Sequence, residues 1–307
     1  MFVKQFIYCG WWWLTSVIFR AHKPLQSVIF ISDKCNLSCR HCSVYNHQDP
    51  VSKTYDQIKE ELVYCYGLGS RFIDFEGGEP FLWEDASHPG ADGKPANVND
   101  LCELARSLGF FSCTITTNAQ KDFSGSKADS IWVSLDGAGK AHDSVRGEGT
   151  FARLEENVAK CGVKYLSANM AINTLNADAV ADTIEYVAKS PYFKSISLNF
   201  HTPFPGTEAL FVPMERRQEI IDLILDYKKK GYPIMNSRSG LKKMRCNDFI
   251  MRCWMTNFVF MDGTRSAQCV GSDFGLCPQC GFCMAGEESA VCELRPDTIL
   301  SGLKLRM

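Results

Sequence analysis

A chain of 307 residues that is 45% hydrophobic, 12% aromatic and 22% charged is long enough to bury a sizeable core, and its composition excludes a disordered, collagen-like or coiled-coil chain. Thirty-three Lys and Arg against thirty-five Asp and Glu leave a net charge of −2, so there is no overall positive field to attract nucleic acid. Fifteen cysteines, grouped early and late, either bridge in an oxidising compartment or hold metal in a reducing one.

The first element is an uncharged apolar run, QFIYCGWWWLTSVIF, from Gln5 to Phe19, which stops at Arg20, His22 and Lys23. It is shorter than the roughly twenty residues a membrane span needs, and Ile18-Phe19-Arg20 makes a poor signal cleavage site. Three successive Trp flanked by Lys and Arg fit a helix lying at a bilayer surface; a helix packed on the domain's own core is the alternative. The expected location is therefore cytoplasmic, at the inner face of the membrane if residues 1–23 bind lipid.

Beyond Pro24, β-branched and aromatic runs predict strands over 27–31, 71–75, 111–116, 131–135, 167–172 and 195–199. Apolar residues at three-and-four spacing predict helices over 52–66, 98–108, 151–160, 177–188 and 214–230, with a short, weakly helical connection at 120–130. Such alternation argues an α/β fold: a parallel sheet curled into a partial (β/α)6 TIM-like barrel, with chemistry at the C-terminal ends of the strands. The division read from composition is an apolar segment at 1–24, a barrel at 25–235 and a small Cys-rich extension at 236–307, where helix periodicity fades.

Directly after the first predicted strand stand Cys35, Cys39 and Cys42, with three and then two residues between them. That spacing suits an iron–sulfur cube better than a tetrahedral zinc ion, and three ligands leave one iron open. The alternative is a structural zinc site completed by His41 or His47. Gly77-Gly78-Glu79-Pro80 closes the second strand, and Thr116-Thr117-Asn118 and Ser134-Leu135-Asp136-Gly137 end the third and fourth.

The triplet resembles the signature of the radical S-adenosylmethionine (SAM) superfamily, and the resemblance covers about residues 25 to 235. It implies a [4Fe-4S] cluster on Cys35, Cys39 and Cys42 whose open iron chelates SAM. An electron from a reductant such as a ferredoxin or flavodoxin then releases a 5′-deoxyadenosyl radical, which abstracts hydrogen from a substrate or adds to it. His41 stands where the family places an aromatic or apolar residue. Gly77, Gly78 and Pro80 belong to its GGEP motif, whose backbone approaches the methionine moiety while Glu79 takes its ammonium. By the same resemblance Asn118, Ser134, Asn169 and Asn199 are strand-tip contacts to SAM, and Arg146 either reaches its carboxylate or caps a helix. Asp136 and His201 are the candidate catalytic groups, with a satisfied loop histidine as the other reading of His201.

The late group, Cys246, Cys253, Cys269, Cys277, Cys280, Cys283 and Cys292, surrounds a hairpin turn at Met261-Asp262-Gly263. It resembles the auxiliary-cluster extension called SPASM or, when shortened, twitch. The implied second [4Fe-4S] cluster is held by Cys253, Cys269, Cys280 and Cys283, with Cys277 or Cys292 as substitutes; a zinc ribbon is the alternative. Cys9, Cys65, Cys102, Cys113 and Cys161 read as buried small hydrophobes. The run from Cys280 to Val291 resembles the tail of the adenosylhopane synthase branch, which with the Trp-rich start puts a lipid or isoprenoid substrate first and a peptide or sugar second. A non-catalytic, zinc-stabilised membrane module is the reading of another class.

Overall fold

The computed structural model describes residues 2–44, 48–90, 92–163 and 166–304; His47, one of the alternative zinc ligands, lies outside them. Helix α1 (Phe2–Trp13) runs through a π-helical turn at Leu14–Ile18 into the first strand, β1 (Gln26–Ser32). Strand and helix then alternate: α2 (Tyr55–Leu68), β2 (Phe72–Gly77), a small hairpin of β3 (Glu84–Pro89) and β4 (Pro95–Asn97), α3 (Val98–Leu108), β5 (Ser112–Thr117) and β6 (Ser130–Ser134). There follow α4 (Lys140–Arg146), α5 (Thr150–Lys160), β7 (Leu166–Ile172), α6 (Val180–Lys189), β8 (Phe193–Phe200) and α7 (Met214–Lys229). The last part holds α8 (Arg238–Lys243), β9 (Thr256–Val259), β10 (Arg265–Ser266), α9 (Val270–Asp273), α10 (Cys283–Cys292) and α11 (Pro296–Lys304).

All six predicted strands form, and they lie side by side and parallel in the order β1-β2-β5-β6-β7-β8, the partial barrel the alternation implied. Side chains alternate across each strand. One face, with Ile29, Ile73, Phe75, Ile115, Val133, Met170 and Leu198, is fully buried beneath the helices. Glu76, Thr116 and Trp132 share a register row on the other face, and Asn169 and Asn199 lie further round it, all partly exposed to the lumen. Helix boundaries follow their caps. Thr54 and Asn97 make capping boxes at the starts of α2 and α3, and Gly69 and Gly109 end the two helices in the left-handed region.

Four features depart from the sequence reading, the first being helix α4 at Lys140–Arg146, where no helix was expected. The β3–β4 hairpin interrupts the second unit, because Glu84–Pro89 and Pro95–Asn97 are too short and polar to carry a strand signal. Residues 236–304 keep helices α8, α10 and α11, where fading periodicity suggested none; α10 is buried nearly all round, so it carries no amphipathic stripe. The expected hairpin at Met261-Asp262-Gly263 forms, but β9 also joins the main sheet, parallel to β1, with β10 antiparallel at its outer edge.

Helix α1 packs along one side on the domain's own core, the second of the two readings of the apolar run. Trp12 is 1% exposed and packs with Met255 and Cys292, donating its indole N–H to the Lys23 carbonyl at 2.8 Å. On the outer side Val3, Phe6, Ile7 and Trp11 are exposed, at three-and-four spacing. Among the described residues, no helix is long and apolar enough to cross a membrane.

Candidate active site

The loop carrying Cys35, Cys39 and Cys42 leaves β1 at the C-terminal mouth of the barrel, and all fifteen cysteines are free thiols. It is held from three sides. The Asn118 amide, at the tip of β5, donates to Asn36 Oδ1 at 2.8 Å and to Cys35 Sγ at 3.7 Å. Arg146, ending α4, donates from Nη1 to Cys39 Sγ at 3.8 Å, and the Arg40 N–H bonds to the Val145 carbonyl at 2.9 Å. From below, the Gly78 N–H meets the Ser32 carbonyl at 2.8 Å and the Glu79 N–H meets the Lys34 carbonyl at 2.9 Å. This contact explains both glycines: a Cβ on Gly77 would lie 2.1 Å from the Ser32 carbonyl oxygen, and one on Gly78 2.2 Å from that of Lys34. The two glycines let β2 approach the root of the cysteine loop.

Glu79 is 1% exposed, and its carboxylate accepts from the Phe81 N–H at 3.1 Å, the Thr117 hydroxyl at 2.9 Å and the Asn118 N–H at 2.7 Å. It thus ties the second strand tip to the third, and three donors leave one lone-pair direction of the carboxylate for another. Pro80, buried, starts the 3-10 turn that aims this group. Asp136 is fully buried: Oδ2 takes the Arg146 Nε–H at 2.6 Å and Oδ1 the Ala171 N–H at 2.8 Å. Burial pushes its pKa up, but the Arg146 charge and these donors outweigh it, so Asp136 stays a carboxylate. It is occupied in orienting Arg146.

The sequence reading missed His142, which is fully buried and accepts the Asp136 N–H on Nδ1 at 3.1 Å. Burial and the Arg146 charge lower its pKa to about 4, and its Nε2 has no partner among the described residues. His41 Nε2 lies 3.8 Å from Asp136 Oδ2, and burial lowers its pKa to about 4 as well. His201 is buried, with Nε2 2.9 Å from the Thr207 hydroxyl, which matches the satisfied loop histidine. Its ring stands edge-on to His41 at 6.4 Å.

Inside the barrel, Thr116 donates to Glu76 Oε1 at 3.4 Å, and burial pushes the Glu76 carboxyl up to about 7. Ser134 pairs in register with Asn169, whose amide oxygen accepts from Asn199 Nδ2 at 2.8 Å. The lumen face therefore carries hydrogen-bonding groups, with Phe30 and Trp132 in the register row of Glu76 and Thr116.

Of the late cysteines, Cys253 and Cys269 are neighbouring thiols that interact directly, and Cys280 stands close enough to feel both. Cys277 adjoins Cys280. Cys283 neighbours Cys280 but is 1% exposed, packed in the core of the β6–β8 half. Cys292 lies apart, with its sulfur 3.6 Å from that of Met255 under α1. Cys246 is exposed. Two buried ionisable groups that the sequence reading passed over adjoin this set. Glu288, bonded to the Thr256 hydroxyl at 2.7 Å and next to Cys269, is pushed up to about 8 by burial; Arg217 is the other. Of the cysteines expected to be small hydrophobes, Cys65, Cys102, Cys113 and Cys161 are buried and Cys9 is half-buried.

The residues present fit an iron–sulfur cluster at the barrel mouth. Three soft thiols share one loop, and two already accept N–H···S bonds from Asn118 and Arg146. Among the described residues, no three His, Cys, Asp or Glu side chains converge as closely as a single metal ion demands.

Residues 29–187, more than half of the chain, match the sequence model of the Radical SAM superfamily. The chain belongs to the radical SAM superfamily. Members of this superfamily use a [4Fe-4S] cluster and SAM, and the assignment speaks against a non-catalytic zinc module. GTP 3′,8-cyclase of Clostridium perfringens (strain SM101 / Type A) is 24% identical over 209 residues, covering 66% of this chain and 62% of that enzyme. The radical SAM chain thus spans less than two thirds of that relative's length. Streptococcus suis SuiB bound to precursor peptide SuiA superposes with a TM-score of 0.61 at 16% identity, over 94% of this chain and 69% of SuiB. Native anSMEcpe with bound AdoMet and Kp18Cys peptide gives 0.58 at 17% identity, over 80% of this chain and 74% of that one. These structural likenesses show a shared radical SAM fold. The expected lipid or isoprenoid substrate finds no support in these relatives.

Proposed function

We propose that this chain is a SAM-cleaving enzyme in which Cys35, Cys39 and Cys42 hold the [4Fe-4S] cluster, and that its substrate is polar and peptide-like. The observation that carries the first part is the convergence of Asn118 and Arg146 on the sulfurs of one three-cysteine loop. A cluster held by Cys35, Cys39 and Cys42 would supply the one-electron reduction that cleaves the sulfonium bond of SAM. The chain's own residues position and enclose. Glu79 offers its remaining lone pair to an ammonium group; Arg146, oriented by Asp136, holds Cys39 and places a fixed positive charge beside a bound carboxylate. Ser134, Asn169 and Asn199 present hydroxyl and amide groups from the strand tips to ribose or adenine.

The polarity of the lumen supports the substrate class. Glu76 and Thr116, which share one long hydrogen bond, keep donor and acceptor capacity that a lipid tail would leave unused and backbone amides would satisfy. The peptides in the SuiB and anSMEcpe structures favour the same class. Anaerobic reconstitution with iron and sulfide, followed by reduction with dithionite in the presence of SAM, tests the chemistry by release of 5′-deoxyadenosine. Unchanged release from a Cys35→Ala, Cys39→Ala, Cys42→Ala triple variant would defeat it.

A second cluster on Cys253, Cys269 and Cys280, completed by Cys277 or Cys283, is the reading we favour for the late thiols. In this reading the extension begins at about residue 235 and is built onto the barrel, with β9 paired to β1 and Cys283 in the barrel core. The outer face of α1, with exposed Val3, Phe6, Ile7 and Trp11 beside exposed Lys4, Arg20 and Lys23, fits the surface of an anionic membrane. Co-sedimentation with vesicles containing phosphatidylglycerol, lost in a Phe6→Ser, Ile7→Ser, Trp11→Ser variant, is the expected result; equal binding by both proteins would refute it.

A further inference from the structure

Arg217, on α7, takes no part in the chemistry proposed above, yet its guanidinium is wholly buried, at 0% exposure. Among the described residues its acceptors are two backbone carbonyls, Cys280 at 2.7 Å from Nη1 and Gln279 at 3.4 Å from Nη2, and its Nε has no partner. Phe200 and Phe211 flank it, with ring centroids 4.9 and 5.7 Å away. No carboxylate pairs with it among the described residues; the groups whose negative charge would act on it are Cys283 and Cys280. An isolated cation in apolar surroundings costs several kcal/mol, and neutral carbonyls offset only part of that. The missing anion has to come from the thiols.

The segment bearing those thiols is fastened to the barrel. The Phe200 N–H bonds to the Gly281 carbonyl at 2.8 Å, the Gly281 N–H to the Thr202 hydroxyl at 2.9 Å, and the Cys283 N–H to Asn199 Oδ1 at 3.0 Å. A Cβ on Gly281 would lie 2.0 Å from the Phe200 carbonyl oxygen, so the contact requires glycine. The distance between Arg217 and this segment is therefore set by the strand tip of β8.

We infer that Arg217 is a positioning residue of the auxiliary cluster: a fixed positive charge that offsets the cluster thiolates and raises its reduction potential. The inference rests on the auxiliary-cluster reading above. A neighbouring cation stabilises the more negative, reduced state, and the flanking rings keep water from screening it.

The test uses the full chain, reconstituted anaerobically, with Arg217→Gln and Arg217→Lys variants followed by iron and sulfide analysis, melting curves and redox titration read by electron paramagnetic resonance. Arg217→Gln is expected to shift the redox equilibrium of the auxiliary cluster at least tenfold toward the oxidised form, about 59 mV for one electron. Arg217→Lys should stay within threefold of the parent, and the SAM-binding cluster should not move in either variant. An unshifted auxiliary potential in Arg217→Gln overturns the inference. If Arg217→Gln retains no second cluster, Arg217→Lys decides: retained iron supports a role for charge, whereas equal loss in both variants reduces Arg217 to a clamp on two carbonyls and overturns it. About four irons per parent chain instead of about eight would instead remove the auxiliary-cluster reading beneath it.

Discussion

Arg146 and Asp136 form a nearly solvent-free ion pair, 2.6 Å from Nε to Oδ2, whose guanidinium also reaches the Cys39 sulfur. The carboxylate is needed less for chemistry than to hold a cation beside the cysteine loop. Removing one partner of a buried pair strands the other charge, at a cost of about 3–5 kcal/mol. Asp136→Asn is therefore expected to lower the urea stability of the metal-free protein by that order. A loss below about 1 kcal/mol, small beside what a stranded buried charge costs, would show that Arg146 finds another anion.

His142 makes the fold acid-sensitive. Its folded pKa is about 4 and its unfolded value about 6.5, so between these limits the unfolded chain binds the extra proton and stability falls as pH falls. The contribution is on the order of 3 kcal/mol across that window, complete by about pH 4. Denaturation curves of the metal-free protein at pH 7.5, 6 and 5 should show this decline, and His142→Gln should make it about half as steep, because buried His41, also lowered to about 4, contributes the rest. The same slope in the variant would assign the acid sensitivity to other groups.

Asn118 contributes two bonds to the cysteine loop, one to Asn36 and one to Cys35. At roughly 0.5–1.5 kcal/mol each, their loss in Asn118→Ala should cost about 1–3 kcal/mol. The loop should then take up iron more slowly during reconstitution, measured by absorbance near the cluster's charge-transfer band. Iron uptake at the parental rate would show that Arg146 and Val145 anchor the loop without help.

Gly78→Ala places a methyl group 2.2 Å from the Lys34 carbonyl oxygen, backbone against backbone. Neither side can rotate away, so the expected penalty is at or above the 1–3 kcal/mol usual for overpacking. Gly10, where a Cβ meets nothing within 4 Å, serves as the control, since alanine there should be neutral or mildly stabilising. Equal melting temperatures for the two variants would mean that β2 can retreat from the loop.

Much of this architecture was legible before any coordinates, for a physical reason. Parallel strands buried on one face carry dense β-branched runs, as in 27–31 and 131–135, and glycines at a backbone contact as close as that of Gly78 leave a motif. What stayed hidden were contacts between distant parts of the chain. His142 looked like one more residue of a short loop until α4 turned it under Asp136. Arg217 sits in a helix with many charges, and nothing local separates it from exposed Arg216. The fit of β9 against β1 could not be read from Thr256–Val259, which is too short to announce its neighbour.

That pairing has a consequence for how the protein is made. Ile29, in the first strand to leave the ribosome, finds its partner Val259 only when nearly the whole polypeptide has been synthesised. Until then one side of β1 is a bare edge, open to a chaperone or to a neighbouring nascent chain.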